Sequence, residues 1–280
     1  MILIDLNQVC IANILQEIKQ IKKIEPLLVK HMILSTLLFY RRKFSVRYGE
    51  LVICCDSKRS WRKDVFAFYK ANRKTNRQKD DIDWNGIFEV INSLTDDLVK
   101  QFPYAVIRVD QAEADDIIGA IANHYNSNEK IMIVSSDKDF LQLQKNPNVE
   151  QYSPTQKKNL TCDDPSQYLK EHIMKGDRGD GIPNFLSDDD TFVTDKRSKK
   201  ILKTKLDAWK TLDPTEFCDE KMMRGWKRNE QIVDLSHTPT DIKQKIVDQY
   251  DTYEYNRRDK LLNYFIQNKF RNLIEHIGDF

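Results

Sequence analysis

The hydrophobic and polar positions of the chain alternate between short apolar runs and longer amphipathic segments up to about residue 162. The short runs predict buried strands over residues 1–4, 51–55, 104–109 and 131–135, with a short fifth strand near 149–153. The segments between them have apolar residues at helical spacing and predict helices over 11–22, 26–44, 84–102 and 112–125. Strands that alternate with helices are typical of a parallel sheet covered on both faces.

Beyond residue 162 the pattern changes to helices without clear strands. Asp164 as N-cap, Pro165 at the first helical position and Gly176 near the end predict one helix. Residues 239–250 and 258–277 are amphipathic. We therefore predict an α/β domain over residues 1–162 and a smaller α-helical domain over 163–280.

The net charge of +2 hides separate blocks of basic and acidic residues. Eight Lys or Arg lie between Arg59 and Lys79 against the single Asp64, and six lie between Lys196 and Lys205 with no acid. Basic stretches beside small carboxylate groups suit a phosphate-rich substrate that requires metal ions, such as nucleic acid.

The same composition excludes other classes. The five cysteines form no CxxC motif, so neither a disulfide framework nor a cysteine zinc site is indicated. No apolar run is long enough to span a membrane, and the N-terminus lacks the features of a signal peptide. We therefore expect a cytoplasmic protein without membrane partners. The sequence contains neither a GxxxxGK[ST] nor a GxGxxG motif, so no nucleotide-binding loop is indicated.

An acid follows each of the first four predicted strands: Asp5, Asp56, Asp110 and Asp137. In an open parallel sheet the ligand site lies beyond the carboxyl ends of the strands, so Asp5, Asp56 and Asp137 should converge. Converging carboxylates repel each other unless a cation lies among them. A ligand set of oxygen atoms favours Mg²⁺ or Mn²⁺ over Zn²⁺.

Structural alternatives stay open for some of these acids. Asp110 and Glu113 fit a capping box, in which Asp115 and Asp116 would only complement the helix dipole. Asp177 and Asp180 could be turn acids, or could act with Gly176, Gly179 and Gly181 where the backbone approaches a phosphate.

The basic stretch at residues 59–79 predicts a helix with one cationic side. Arg59, Arg62, Phe66, Lys70, Arg73 and Arg77 fall roughly on that side. Trp61, Phe66, Phe68 and Tyr69 are interleaved where bases or sugars could pack. A solvated surface helix is the usual alternative, but almost no acid balances this stretch, which favours phosphate binding.

In order, these motifs resemble the 5′-nuclease (flap endonuclease) family, and within it the ribonuclease H branch of the T-even bacteriophages. The resemblance rests on an Asp after each of the first two strands, "YKANR", "EADD", "SSDKDF" and "GDRGD". It implies a PIN-like catalytic domain with a basic arch at about 57–83, and a helix-turn-helix-like duplex-binding segment at about 165–200. The glycine-rich continuation common in cellular members is replaced by "GIPNFLSDDDTF", which leaves a potassium site in that segment open.

The resemblance also implies residue roles. The ligands of two Mg²⁺ ions, which Mn²⁺ can replace, would be Asp5, Asp56, Glu113, Asp115, Asp116, Asp137, Asp139, Asp177 and Asp180. The catalytic side chains would be Tyr69, Lys70 and Arg73. The nucleic acid would contact Arg59, Arg62, Lys63, Arg77, Gly176, Gly179, Gly181, Lys196, Arg197, Lys199 and Lys200. None of the five histidines falls in a motif, so we expect surface or core roles for them.

The implied activity is Mg²⁺-dependent 5′ to 3′ hydrolysis of phosphodiesters in RNA–DNA hybrid, duplex and flap DNA. It would be carried out by a monomer that removes RNA primers during replication. The C-terminal helix could dock a single-strand-binding protein or a sliding clamp, or its apolar face could be core. Two alternatives remain: a haloacid-dehalogenase-like phosphatase, although Asn7 stands where its acid–base aspartate should be, and a non-catalytic nucleic-acid-binding protein.

Overall fold

A computed structural model describes residues 1–21, 25–78, 82–194 and 196–280. Its strands form one sheet in the order β3-β2-β1-β4-β5-β6, parallel except for β6, which runs antiparallel to β5. The strands are β1 (Ile2–Asp5), β2 (Leu51–Cys54), β3 (Ala105–Ile107), β4 (Ile131–Val134), β5 (Val149–Ser153) and β6 (Lys158–Leu160). The five strands predicted from apolar runs are confirmed. The edge strand β6 has exposed Lys158 and Asn159 and therefore carries no apolar run that would reveal it.

Helices cover both faces of the sheet and make up the second half of the chain. They are α1 (Leu6–Ile21), α2 (Pro26–Tyr48), α3 (Arg62–Val65), α4 (Ala71–Gln78), α5 (Trp84–Gln101), α6 (Ala114–Tyr125), α7 (Pro165–Lys175), α8 (Lys203–Trp209), α9 (Pro214–Phe217), α10 (Glu220–Val233), α11 (Thr240–Asp251), α12 (Asp259–Gln267) and α13 (Arg271–Ile274). Short 3₁₀ helices span Lys138–Lys145, Leu235–His237 and Ile277–Asp279.

Most predicted helices are found with shifted ends. The first begins directly after β1, at Leu6 rather than 11, because Leu6, Val9 and Cys10 already belong to the core. Its predicted end at residue 22 lies outside the described residues. The capped helix is found as predicted: Asp164 accepts a hydrogen bond from Gln167 N and Gly176 ends the helix at φ 65°.

The basic stretch is not the single helix that its composition predicts. After α3 the chain is extended at Phe66, with φ −138° and ψ 101°, and α4 begins only at Ala71. Lys70, between them, has a left-handed φ of 57°. Its N–H donates to Asp180 O at 2.7 Å, and this contact with the second half of the chain holds the break. Residues 79–81 lie outside the described part of the chain.

Three hydrophobic clusters make up the core. One face of the sheet packs against α1, α2, α5, α12 and α13, and the other packs against α6 and α11. A third cluster joins Phe66 and Tyr69 to α7 and α10. Leu261, Phe265 and Phe280 lie in the first cluster, so the apolar face of the C-terminal helices is core. The division at residue 162 stays a prediction, since helices beyond it share the core of the sheet.

The sheet order positions the site. Chain order reverses between β1 and β4, which are neighbours in the sheet, and ligands of open α/β sheets bind at such a switch point beyond the strands' carboxyl ends.

Cys10, Cys54 and Cys55 are buried free thiols, and Cys162 and Cys218 are half-buried free thiols. Among the described helices, none has the length and apolar content needed to cross a bilayer.

Candidate active site

Four carboxylates from different parts of the chain lie around one cavity at the switch point. Asp5 ends β1, Asp56 follows β2, Asp115 lies in the first turn of α6, and Asp137 follows β4. All four line a cavity of about 320 Å³, together with Lys70, Arg73 and Arg77. We refer to Asp5, Asp56, Asp115 and Asp137 as the open cluster.

Hydrogen bonds from neutral donors fix three members of the open cluster. Asp5 accepts from Gln8 N at 3.1 Å and from Ser135 Oγ at 3.0 Å. Asp56 accepts from Ala114 N at 2.8 Å and from Asn7 Nδ2 at 2.6 Å. Asp137 accepts from Asp139 N at 3.0 Å. Asn7 is thus an amide that orients Asp56 and has no titratable proton for the acid–base role that a phosphatase of the dehalogenase type needs.

The open cluster lacks a cationic partner. No member forms a salt bridge with another described residue. Burial and the neighbouring Asp56 raise the pKa of Asp5 to about 7. Burial and the nearby Asp137 also raise the pKa of Asp115 well above its usual value. Crowded carboxylates with oxygen donors only are a set that suits a hard divalent cation, which would relieve the repulsion.

A second acidic group lies beside the first. Asp139, His172 and Asp177 each place one ligand atom within 4.8 Å of the others, and the three residues are half-buried. Asp137 borders the same cleft and connects the two groups. His172 was not predicted from the sequence, because a lone histidine on a helix carries no motif and only the tertiary packing of α7 brings it to these acids.

Glu113 and Asp180 are held by the three residues predicted to be catalytic. Tyr69 Oη donates to Glu113 Oε2 at 2.7 Å and to Asp180 Oδ2 at 3.2 Å. Lys70 Nζ lies 2.5 Å from Glu113 Oε1 and 3.6 Å from Asp180 Oδ2. Arg73 forms an ion pair with Asp180. Glu113 and Asp180 therefore hold the side chains of Lys70 and Arg73 beside the open cluster.

The ion pairs perturb both partners. Burial alone would raise the pKa of Glu113, but Lys70 and Arg62 lower it to about 2. Burial would lower the pKa of Lys70, but Asp180 and Glu113 outweigh that effect and raise it. Both side chains are therefore charged at neutral pH, and the Lys70 ammonium stays available for a phosphate.

Asp116 requires a correction, because it does not face the cavity. Its side chain is fully buried. Oδ1 accepts from Trp61 Nε1 at 3.1 Å and Thr238 Oγ1 at 2.7 Å, and Oδ2 accepts from Arg62 Nη1 at 2.8 Å and Glu113 N at 2.9 Å. With four donors on two oxygens, Asp116 has a structural role and does not serve as a metal ligand.

The prediction for Arg62 is also wrong, because this side chain is buried and paired like that of Asp116. It was predicted to bind nucleic acid, but it is 2% exposed, pairs with Asp116 and Glu113, and donates from Nε to Ile232 O at 2.9 Å. It does not reach a surface where a substrate could lie. We refer to Trp61, Arg62, Asp116 and Thr238 as the buried node.

The capping alternative for Asp110 is wrong in its details. The N-cap of α6 is Glu113, and the reciprocal partner is Asp116. Asp110 is exposed, and the one hydrogen bond that its side chain accepts from a described residue comes from Ser57 Oγ at 3.5 Å. The capping box exists, three residues later than the sequence suggested.

Two of the three predicted glycines serve the chain itself. At Gly176, with φ 65°, an added Cβ would lie 2.4 Å from Ile182 O. At Gly181, with φ 72°, it would lie 3.2 Å from Phe68 O, where the glycine turn packs against the basic stretch. These positions need glycine for close backbone packing, and their predicted contact with a phosphate stays a prediction. Gly179 is exposed, and its assignment stays a prediction.

Two of the predicted nucleic-acid contacts in the basic stretch line a second cavity. Lys63 and Arg77 line this cavity of about 670 Å³ together with Lys70 and Arg73. Arg77 also lies over the rings of Trp84 and Phe88, at 5.2 and 4.8 Å. Arg59 is exposed and pairs with Asp64.

The basic residues of the second half lie in an exposed loop before α8. Lys196, Arg197, Lys199 and Lys200 are all exposed. Lys196 pairs with Asp190 at 2.7 Å. The neighbouring acids Asp188 and Asp189 also pair with basic side chains, of Lys221 and of Arg224 and Arg228. Regular helix within residues 165–200 is confined to α7 among the described residues, so the helix-turn-helix and potassium predictions stay predictions.

Comparisons with known proteins agree with this arrangement. A family model described as "5'-3' exonuclease, N-terminal resolvase-like domain" matches residues 10–173, and one described as "T4 RNase H, C terminal" matches residues 165–280. The chain is 31% identical to the ribonuclease H of Enterobacteria phage T4, with 99% of this chain and 95% of that protein aligned. It is 29% identical to the 5'-3' exonuclease of Halalkalibacterium halodurans over 48% of this chain and 46% of that protein.

Solved structures share the fold. A zinc-bound T5 5'-exonuclease superposes with a TM-score of 0.64 at 17% identity, over 91% of this chain and 99% of that one. The bacteriophage T5 flap endonuclease, in a complex with DNA and metal ions, superposes with a TM-score of 0.64 at 15% identity, over 89% and 97%. The chain therefore belongs to the 5′–3′ exonuclease family, in the branch that includes the ribonuclease H of phage T4, and it is a nuclease.

Proposed function

We propose that the protein is a Mg²⁺-dependent 5′ to 3′ nuclease that hydrolyses RNA annealed to DNA and also cleaves duplex and flap DNA. Its biological role would be the removal of RNA primers during DNA replication. The observation that carries the proposal is the open cluster: four carboxylates without a cationic partner line the same cavity as Lys70, Arg73 and Arg77.

The donor set suits two neighbouring divalent ions. Asp5, Asp56, Asp115 and Asp137 would hold one, and Asp139 and Asp177 would hold the other, with Asp137 between the two groups. When bound, Mg²⁺ or Mn²⁺ would supply an activated water and stabilise the leaving 3′ oxygen of the scissile phosphodiester. Divalent ions would bind favourably here because they reduce the repulsion among the carboxylates.

The cationic side chains that line the same cavity would act on the phosphate. Lys70 and Arg73 are fixed by Glu113 and Asp180, so their charges are oriented before the substrate arrives. Preorganised cations stabilise charge that develops on non-bridging oxygens without reorganising during the reaction. Tyr69 fixes both acids through its hydroxyl group and is a positioning residue in this arrangement.

The basic cavity that Lys63 and Arg77 line would hold the unpaired 5′ strand, with the exposed Lys196, Arg197, Lys199 and Lys200 near the backbone of the downstream duplex. Such contacts are to phosphates and predict no strict base preference.

The test is a nuclease assay on a 5′-labelled RNA–DNA hybrid and a labelled DNA flap in parallel, with Mg²⁺ or with EDTA. The proposal expects short 5′ products with Mg²⁺ and none with EDTA. Asp137→Ala should abolish cleavage while retaining most of the binding. The matched control is Asp110→Asn, which removes an exposed acid that follows β3 but lies outside the cavity.

Other results separate the alternatives. Binding without product in Mg²⁺ would indicate a non-catalytic nucleic-acid-binding protein. Fluoride-sensitive release of phosphate from a small monoester, without strand cleavage, would favour a phosphatase. Normal cleavage by Asp137→Ala would show that the site is assigned wrongly.

A further inference from the structure

We propose that His172 supplies a nitrogen ligand to the divalent ion held by Asp139 and Asp177. This position would then prefer Mn²⁺ over Mg²⁺ more strongly than the oxygen-only open cluster does. The inference rests on the proposed metal dependence of the nuclease and adds a residue that confers metal preference.

The geometry places the imidazole where a ligand must be. His172 Nε2 lies 3.4 Å from Asp139 Oδ1. The ligand atoms of Asp139, His172 and Asp177 lie within 4.8 Å of one another. Ligands about 2.0 to 2.2 Å from a shared ion are separated by less than about 4.4 Å, so an ion fits with only small side-chain movements.

The nitrogen is buried and lacks a hydrogen bond. His172 Nε2 has no hydrogen-bond partner among the described residues, although it is inaccessible to solvent. A buried polar atom without a partner is destabilising and requires an explanation such as an unseen ion. An ion shared with Asp139 and Asp177 would satisfy the nitrogen and both carboxylates together.

The helix fixes the side chain in this position. Asp164 caps the start of α7, and Gly176 N donates to His172 O at 2.8 Å at its end. Tyr168, one turn earlier on the same face, holds its ring 6.1 Å from the imidazole. The imidazole is therefore presented from a rigid element, which is what a ligand position requires.

The chemistry predicts the metal preference. Imidazole suits transition metals, while Mg²⁺ prefers oxygen ligands and gives up its water reluctantly. A site with one nitrogen and two carboxylates should discriminate more between Mn²⁺ and Mg²⁺ than four carboxylates do. The two positions of the nuclease would then be chemically unlike.

A simpler role would be hydrogen bonding, in which His172 donates to Asp139 and never touches an ion. His172→Gln tests this, because the amide can still donate but binds transition metals poorly. His124→Gln is the matched control, since His124 is exposed at the end of α6 and lies outside both acidic groups.

The experiment is pulsed electron paramagnetic resonance of the full-length protein loaded with two equivalents of Mn²⁺, together with Mn²⁺ and Mg²⁺ titrations by calorimetry. Wild type and His124→Gln should show nitrogen modulation of the Mn²⁺ echo, and His172→Gln should lose it. The Mn²⁺ affinity of one site should fall at least about tenfold in His172→Gln, with a smaller change for Mg²⁺.

The inference is overturned if Mn²⁺-saturated wild type shows no nitrogen modulation, a result that does not depend on the folding of any variant. It is also overturned if His172→Gln lowers Mn²⁺ and Mg²⁺ affinities equally. Cleavage of the hybrid by wild type with Mg²⁺ is measured beside it. Cleavage without nitrogen modulation refutes only the role of His172, whereas absence of cleavage refutes the proposed function itself.

Discussion

Asp115 and Asp116 are neighbours in the first turn of α6 but lie in opposite surroundings. Asp116 belongs to the buried node, where donors from Trp61, Arg62 and Thr238 satisfy its oxygens. Asp115 belongs to the open cluster, faces the cavity and has no cationic partner in the described structure. Asp116 is fully buried and Asp115 is half-buried, yet the protein compensates the charge of Asp116 only.

This difference separates structural from functional carboxylates. A buried charge that is paired and hydrogen-bonded holds elements together, and removing one partner is strongly destabilising. A group of crowded, partly buried like charges without compensation is unfavourable in the free protein, and perturbed groups of this kind in a cleft indicate a functional site. The buried node joins the basic stretch to α6, and this link fixes the helix turn that holds Asp115 of the open cluster.

The largest expected effect is on catalysis by the open cluster. Asp115→Asn should reduce cleavage of the RNA–DNA hybrid by more than about a hundredfold, because it removes a proposed ligand and the loss of a group one step removed from a metal already costs about 10- to 100-fold. Single-turnover assays at saturating Mg²⁺ measure this loss. Asp110→Asn should retain wild-type rates, and equal losses in both variants would show that the defect does not come from the open cluster.

The second prediction compares the stability of the two neighbours. Asp116→Asn should lower the free energy of unfolding by about 3–5 kcal/mol, because it leaves the Arg62 charge buried without its main partner. In EDTA, Asp115→Asn should leave stability unchanged or raise it, because it removes repulsion. Urea unfolding of both variants measures this contrast, and a larger loss in Asp115→Asn would contradict it.

The third prediction concerns the cations that face the open cluster. Lys70→Ala and Arg73→Ala should lower kcat by about 10- to 100-fold with smaller changes in KM, since they act on charge that develops in the transition state. Lys63→Ala, on the wall of the basic cavity, is the control and should affect KM more than kcat. Equal effects on both constants would make Lys70 and Arg73 simple phosphate contacts.

The fourth prediction is that, in EDTA, the contributions of the ion-paired Glu113 and of Asp5 in the open cluster to the free energy of unfolding change in opposite directions with pH. The pKa of Glu113 falls from 4.5 to about 2 on folding, so its contribution to stability is present above pH 4.5 and is lost as the pH falls toward 2. The pKa of Asp5 rises from 3.8 to about 7, so its contribution is present below pH 3.8 and is lost as the pH rises through 7.

Urea unfolding of Glu113→Gln and Asp5→Asn across this pH range measures the two contributions. Glu113→Gln should flatten the acid loss of stability between pH 4.5 and about 2. Asp5→Asn should flatten the loss between pH 3.8 and about 7. Unchanged slopes in either variant would contradict the corresponding shift.

The smallest effect is expected far from both regions, in the exposed loop before α8. Lys199→Ala and Lys200→Ala should each weaken hybrid binding modestly and reduce the slope of log affinity against log salt concentration by about 1. Cleavage at saturating substrate should not change. A loss of kcat would place these lysines in the active site instead.

The sequence predicted the framework of the site well, because each part of it depends on local patterns. Apolar runs gave the parallel strands, and the acids that follow β1, β2 and β4 led to the convergence of Asp5, Asp56 and Asp137. The rule that ligands lie beyond the carboxyl ends of the strands requires only that the strands run parallel, which the alternation of strands and helices predicts.

The remaining features depend on tertiary contacts that no local pattern records. Asp115 and Asp116 look alike in sequence, and only the packing of Arg62 and Thr238 separates them. The break at Lys70 arises from its hydrogen bond to Asp180, which is distant in sequence. His172 lies on α7, in the second half of the chain. It approaches Asp139 because α7 packs on the 3₁₀ helix Lys138–Lys145.

The most direct test of the central claim is calorimetric titration of Mg²⁺ into the metal-free protein, with Asp115→Asn and Asp110→Asn beside the wild type. We expect the wild type and Asp110→Asn to take up divalent ions with the same affinity, and Asp115→Asn to bind them at least about tenfold more weakly. Absence of uptake by the wild type, or unchanged binding by Asp115→Asn, would contradict the account.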